Sequence, residues 1–87
     1  MIHIMTNQEH DYTIVSIAGQ IAEEDVPEMR RVRADLSGTV VLNLDEVTEC
    51  SGNGLSLLRA WLDDGARIRK ATPYLRMILN NPSEAGL

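Results

Sequence analysis

Phenylalanine is missing from this chain, and Tyr12, Trp61 and Tyr74 are its whole aromatic complement. The core of an 87-residue chain so composed must be built from Leu, Ile, Val and Met. Cysteine is nearly missing as well: Cys50 stands alone, which excludes an intramolecular disulfide. No unbroken apolar run is longer than Val40–Leu42, far short of the roughly 20 residues a membrane-spanning helix needs. The first residues, MIHIMTNQ, have neither the basic start nor the long apolar stretch of a secretory leader. A reduced, cytoplasmic protein with no direct membrane insertion is the expectation.

Positive charge is also scarce. Lys and Arg number 8 against 13 Asp and Glu, for a net charge of −5 and a pI near 4.8. Binding to nucleic acid needs clustered cations against phosphates, so a general nucleic-acid surface is not expected. The cations fall in two small groups, Arg30, Arg31 and Arg33, then Arg67, Arg69 and Lys70. Their simplest roles are a solvated helix end and a solvated strand face. His3 and His10 have no cysteine or carboxylate at ligand spacing, so neither a metal nor another cofactor is expected. Cys50 has no companion histidine and reads as a small buried or half-buried thiol. No nucleophile–base pair is visible, and catalysis is not expected.

What is present is alternation of short strands and helices in one domain, residues 1–80. Residues 1–6 place Ile2 and Ile4 on one face and His3 on the other, a strand. Tyr12–Ala18 alternates with apolar residues on both faces, as for a strand covered on two sides, and Gly19 ends it. Val26, Met29, Val32 and Leu36 recur at helical spacing within Ala22–Leu36. Acids occupy the start of that segment and arginines its end, complementing the helix dipole. Thr39–Leu44, TVVLNL, reads as the central strand, buried on both faces, and Asp45–Gly54 as a polar loop. Leu55–Leu62 is a second helix with Leu55, Leu58 and Leu62 on one stripe, stopped by Gly65. Ala66–Lys70 has the pattern of an edge strand. Thr72-Pro73 reads as a cap and first turn of a third helix, Tyr74–Leu79, and residues 81–87 as a flexible tail. The order β-β-α-β-α-β-α implies an α/β fold, with a mixed, mostly parallel four-stranded sheet and helices packed on it.

That order, together with VVLNLDEVTECSGNGLSLL at residues 40–58, resembles a STAS domain of the anti-sigma factor antagonist type. The family has an aliphatic strand ending in Asp-Leu or Asn-Leu, a short loop, and Asp-Ser-Ser-Gly at the start of a Leu-rich helix. Val40–Leu44, Val47 and Gly54-Leu55 followed by Leu57-Leu58 match it. Gly19, Gly65 and Thr72-Pro73 match further family positions. The resemblance implies a bacterial signalling module in transcription regulation. Its partner would be an anti-sigma factor with a kinase-like fold, docked on Thr48, Glu49, Cys50, Ser51, Gly52, Asn53 and Ser56.

Two departures alter that expectation. Laid without a gap, Asp-Ser-Ser-Gly falls on Ser51, Gly52, Asn53 and Gly54, so Gly52 stands where the regulated members carry the phosphorylated serine. Glycine has no hydroxyl, and binding is expected to be independent of phosphorylation there. Ser51 is the adjacent hydroxyl, either a phosphate acceptor or, as the favoured reading, a helix N-cap. Many STAS domains also carry a fifth strand and a final helix beyond the equivalent of this last one. Their absence predicts an open sheet edge, suited to a homodimer. The alternatives to regulation are a fixed STAS subunit of a larger assembly, such as a membrane-transport complex, and a small-ligand binder using Ser51–Gly54 as an anion nest.

Overall fold

The computed structural model describes residues 2–80, the side chain of Asn80 excepted. The flexible tail expected at 81–87 lies outside the described residues. Four strands, β1 (Ile2–Gln8), β2 (Tyr12–Ile21), β3 (Thr39–Cys50) and β4 (Arg67–Ala71), form one sheet in that spatial order. β1 and β2 make an antiparallel hairpin, while β2–β3 and β3–β4 are parallel. The connections after β2, β3 and β4 carry α1 (Val26–Ala34), α2 (Gly52–Asp63) and α3 (Pro73–Asn80). The molecule is therefore α/β, with a mixed four-stranded sheet and three helices, as the alternation of elements implied. None of the described helices is long and apolar enough to cross a membrane.

The helices cover one face of the sheet. Val15 and Ile17 of β2, with Val40, Leu42 and Leu44 of β3, pack into a single buried cluster with Met29 of α1, Leu58 and Trp61 of α2, and Leu75 and Leu79 of α3. The expectation that β2 and β3 are covered on both sides is corrected here. Tyr12, Ile14, Ser16 and Ala18 on the other face of β2, and Val41 and Asn43 on β3, are only half-buried. Screening by their strand neighbours accounts for this, since the cluster takes its helix residues from the opposite side.

Three boundaries also move. The first helix begins not at Ala22 but with a 3₁₀ turn, Glu23–Asp25, after which α1 runs only to Ala34. Asp25 holds that turn by accepting the Ala22 N–H at 2.9 Å, and Pro27 takes the early position in α1 that its missing N–H requires. Gly19 does not end β2. It adopts φ +102°, open to glycine at low cost, and the strand continues through it to Ile21. The third change is the largest: most of the expected polar loop at Asp45–Gly54 is strand and helix. β3 continues to Cys50, pairing Ala18 with Glu46, Gly19 with Val47, Gln20 with Glu49 and Ile21 with Cys50. α2 starts at Gly52, leaving Ser51 as the link.

Other expectations hold as made. Ile2 and Ile4 face the core and His3 faces away. Leu75 donates its N–H to Thr72 Oγ1 at 3.2 Å, so Thr72 caps α3. The α1 arginines stay at its end, where Arg33 Nη1 donates to the Leu36 carbonyl at 3.3 Å and Arg31 pairs with Glu28.

Candidate functional site

The site follows from where β3 stops. Two irregularities in the β2–β3 register each place one extra residue on β3, between Asn43 and Glu46 and between Val47 and Glu49. Such bulges bend a strand and re-aim its side chains. The result leaves Thr48 and Glu49 exposed and Cys50 half-buried against the core. Ser51 then donates its N–H to the Ile21 carbonyl at 2.9 Å, holding the link against the end of β2. Its hydroxyl oxygen accepts the Gly54 N–H at 3.1 Å, the N-cap geometry expected from the sequence.

The two glycines that follow have opposite surroundings. A Cβ on Gly54 would lie 2.8 Å from Ile21 Cγ2, 3.0 Å from Cys50 Sγ and 3.2 Å from Ser51 Oγ. Helix α2 can approach the ends of β2 and β3 this closely only because residue 54 has no side chain. A Cβ on Gly52 would meet nothing within 4 Å. Gly52 and Asn53 are exposed in the first turn of α2, and Ser56 is exposed further along it. Asn53 Nδ2 donates to the Glu23 carboxylate, tying that turn to the 3₁₀ turn after β2.

Thr48, Glu49, Cys50 and Ser51 come together in an open cleft of about 540 Å³, where they meet Gln20, Ile21 and Ala22. Gly52, Asn53 and Ser56 are not in its lining and form the adjoining surface of α2. Tyr74 closes the other side of the cleft from the first turn of α3, 54% exposed. Sequence reasoning missed Tyr74 and Glu23 as members of this region. The available signal for Tyr74 was its place just after the Thr72-Pro73 cap, one of three aromatics in the chain. Glu23 carried no signal, because its bond to Asn53 crosses 30 residues of sequence.

Desolvation pushes the Cys50 thiol from its ordinary 9.0 up to about 11, so it stays protonated at neutral pH. Glu49 gives the rim a negative charge, and Glu23 and Glu24 of the 3₁₀ turn are exposed too. No group of three or more His, Cys, Asp or Glu side chains among the described residues is placed to hold a metal ion. Comparison with known protein families and with characterised proteins finds no match to this chain.

Proposed function

We propose that this chain is a protein-interaction module akin to the STAS anti-sigma factor antagonists, docking through the end of β3 and the first turn of α2. The observation that carries the reading is the unobstructed backbone at Gly52. It lies between exposed Glu49 and exposed Asn53 and Ser56, where a partner's backbone can approach closely. The half-buried, fully protonated Cys50 suits contact better than nucleophilic chemistry. Glu49 would contribute specificity and on-rate more than raw affinity. Since residue 52 has no hydroxyl, docking would be controlled by the abundance of the partners and not by phosphate at that position.

The test is affinity capture of the tagged chain from its source lysate, with mass spectrometry of what is retained. A kinase-fold anti-sigma factor is expected on the native chain, and Gly52→Trp and Glu49→Arg should each lose it. Both positions face solvent, so both variants are expected to fold. Unchanged retention by both would overturn the placement of the surface. Salt-resistant retention of transport-complex subunits in its place would support the fixed-subunit alternative.

A further inference from the structure

The two edges of the sheet are built differently. β4, at one edge, is five residues long, carries exposed Arg67, Arg69 and Lys70, and slips register with β3 at Arg69. Short length, cations and a bulge are the devices that keep an edge strand from pairing with another chain. β1, at the other edge, has none of them. Its seven residues, IHIMTNQ, include no Lys, Arg, Asp, Glu or Pro, and they pair with β2 without a register shift. Met5, at the middle of the strand, is 70% exposed.

The hairpin fixes which backbone groups of β1 point outward. The Glu9 N–H donates to the Tyr12 carbonyl at 2.7 Å, and these two residues continue the β1–β2 register by one step. Hydrogen-bonded and non-hydrogen-bonded pairs alternate along an antiparallel ladder. Asn7, Met5 and His3 therefore bond to β2, whereas Gln8, Thr6, Ile4 and Ile2 direct their N–H and C=O groups to the open side. Among the described residues no strand takes up those groups.

We propose that β1 is a self-association edge, to which β1 of a second copy of this chain adds antiparallel. A twofold axis normal to the sheet at Met5 sets Ile4 opposite Thr6 of the other copy, and Ile2 opposite Gln8. These are the residues whose backbone groups point outward, so each outward group meets a counterpart. His3 then lies opposite Asn7, and Met5 opposite itself. Met5 falls on a non-hydrogen-bonded position, where Cα atoms are about 4.5 Å apart and side chains lie closest. The two exposed thioethers cover one another there, and β1 brings no charge to oppose its own copy. The contact is isologous: it joins two four-stranded sheets into one and closes on itself. β4 of another copy fits less well, because it is shorter, brings its cations, and leaves a further edge open to growth. β2 separates β1 from the docking surface at the end of β3, so this inference does not rest on that reading.

The test is sedimentation equilibrium of the 87-residue chain across a wide concentration range. A monomer–dimer equilibrium is expected for the native chain. Met5→Lys and Met5→Glu each set like charges together at the axis and should weaken association by about tenfold or more. Residue 5 is exposed, so at high dilution both variants should melt as the native chain does. An equimolar mixture of the two should recover the dimer, because lysine then faces glutamate across the axis. Thr6→Pro removes an outward N–H, leaves the bonds to β2 in place, and should also abolish association. Lys70→Glu, at the other edge, should leave it unchanged. A native chain monomeric at every concentration would overturn the proposal. So would a dimer indifferent to both Met5 variants, a mixture that shows no recovery, or a dimer lost in Lys70→Glu.

Discussion

Leu42 and Val41 are consecutive residues of β3 and face opposite ways. Leu42 is fully buried beneath the helices, whereas Val41 is half-buried on the open side. Both are aliphatic and both lie in a central strand, so their chemistry does not distinguish them. The environments differ because α1, α2 and α3 all contribute to one core cluster. An aliphatic run in a central strand therefore shows that the strand is interior to the sheet. It does not show that both faces of the sheet are roofed.

The largest expected effect tests that contrast directly. Leu42→Ala should destabilise the fold by about 2–5 kcal/mol, because it opens a cavity in a cluster that cannot fully collapse. Val41→Ala should cost about 1 kcal/mol or less. Urea midpoints for the two variants decide it. Equal losses would mean that the open face is packed as tightly as the covered one.

The same contrast recurs two residues apart in the first turn of α2. Gly54→Ala places a methyl group 2.8 Å from Ile21 Cγ2 and 3.0 Å from Cys50 Sγ, and should cost about 1–3 kcal/mol through overpacking. Gly52→Ala meets nothing and should stabilise by about 0.4–1 kcal/mol, because it narrows the unfolded ensemble. The opposite sign at neighbouring glycines is the measurable statement. A destabilised Gly52→Ala would show that something packs against the exposed backbone at residue 52.

These residues also show what was legible in the sequence. The element order could be read because apolar periodicity and caps are local: Thr72-Pro73 opens α3, and Ser51 caps α2. The course of β3 past Leu44 could not. Asp45, Glu46, Thr48 and Glu49 are exposed, and the two extra residues in that stretch break the alternation that marks a strand. What keeps it a strand is pairing of its backbone with β2, which needs no particular side chain. Part of the candidate site was hidden for a similar reason. Thr48 to Ser51 are contiguous and could be named, but Tyr74 and Glu23 reach them only through the fold.

A smaller effect is expected at the border between the two sides, where Ser51 links β3 to α2. Ser51→Ala removes the acceptor for the Gly54 N–H and should cost about 1 kcal/mol. In a domain of this size that lowers the melting temperature by about 4–8 °C. Ser51→Asn keeps a capping acceptor and should recover most of the loss. If Ser51→Ala leaves the melt unchanged but alters partner capture, its hydroxyl serves the partner and not the helix.

The smallest effect concerns Cys50, and it is absent at neutral pH. Desolvation raises its folded-state pKa to about 11 from an ordinary 9.0, so well below 9.0 the thiol is almost wholly neutral whether the chain is folded or not. Between these values the unfolded chain releases a proton that the folded chain retains. The unfolded state then binds fewer protons, so stability must fall as pH rises across that window. The half-exposed position of the thiol screens the loss, which is why it ranks last. Alkylation gives the sharper readout, because Cys50 is the single cysteine and the thiolate is the reacting species. At pH 8 the folded chain should react far more slowly than the urea-unfolded chain, and the difference should narrow as pH approaches 11. Gly54→Ala, which crowds the sulfur, should change the folded rate, whereas Gly52→Ala should not. A folded chain as reactive as the unfolded one at pH 8 would place Cys50 on the open side of the boundary.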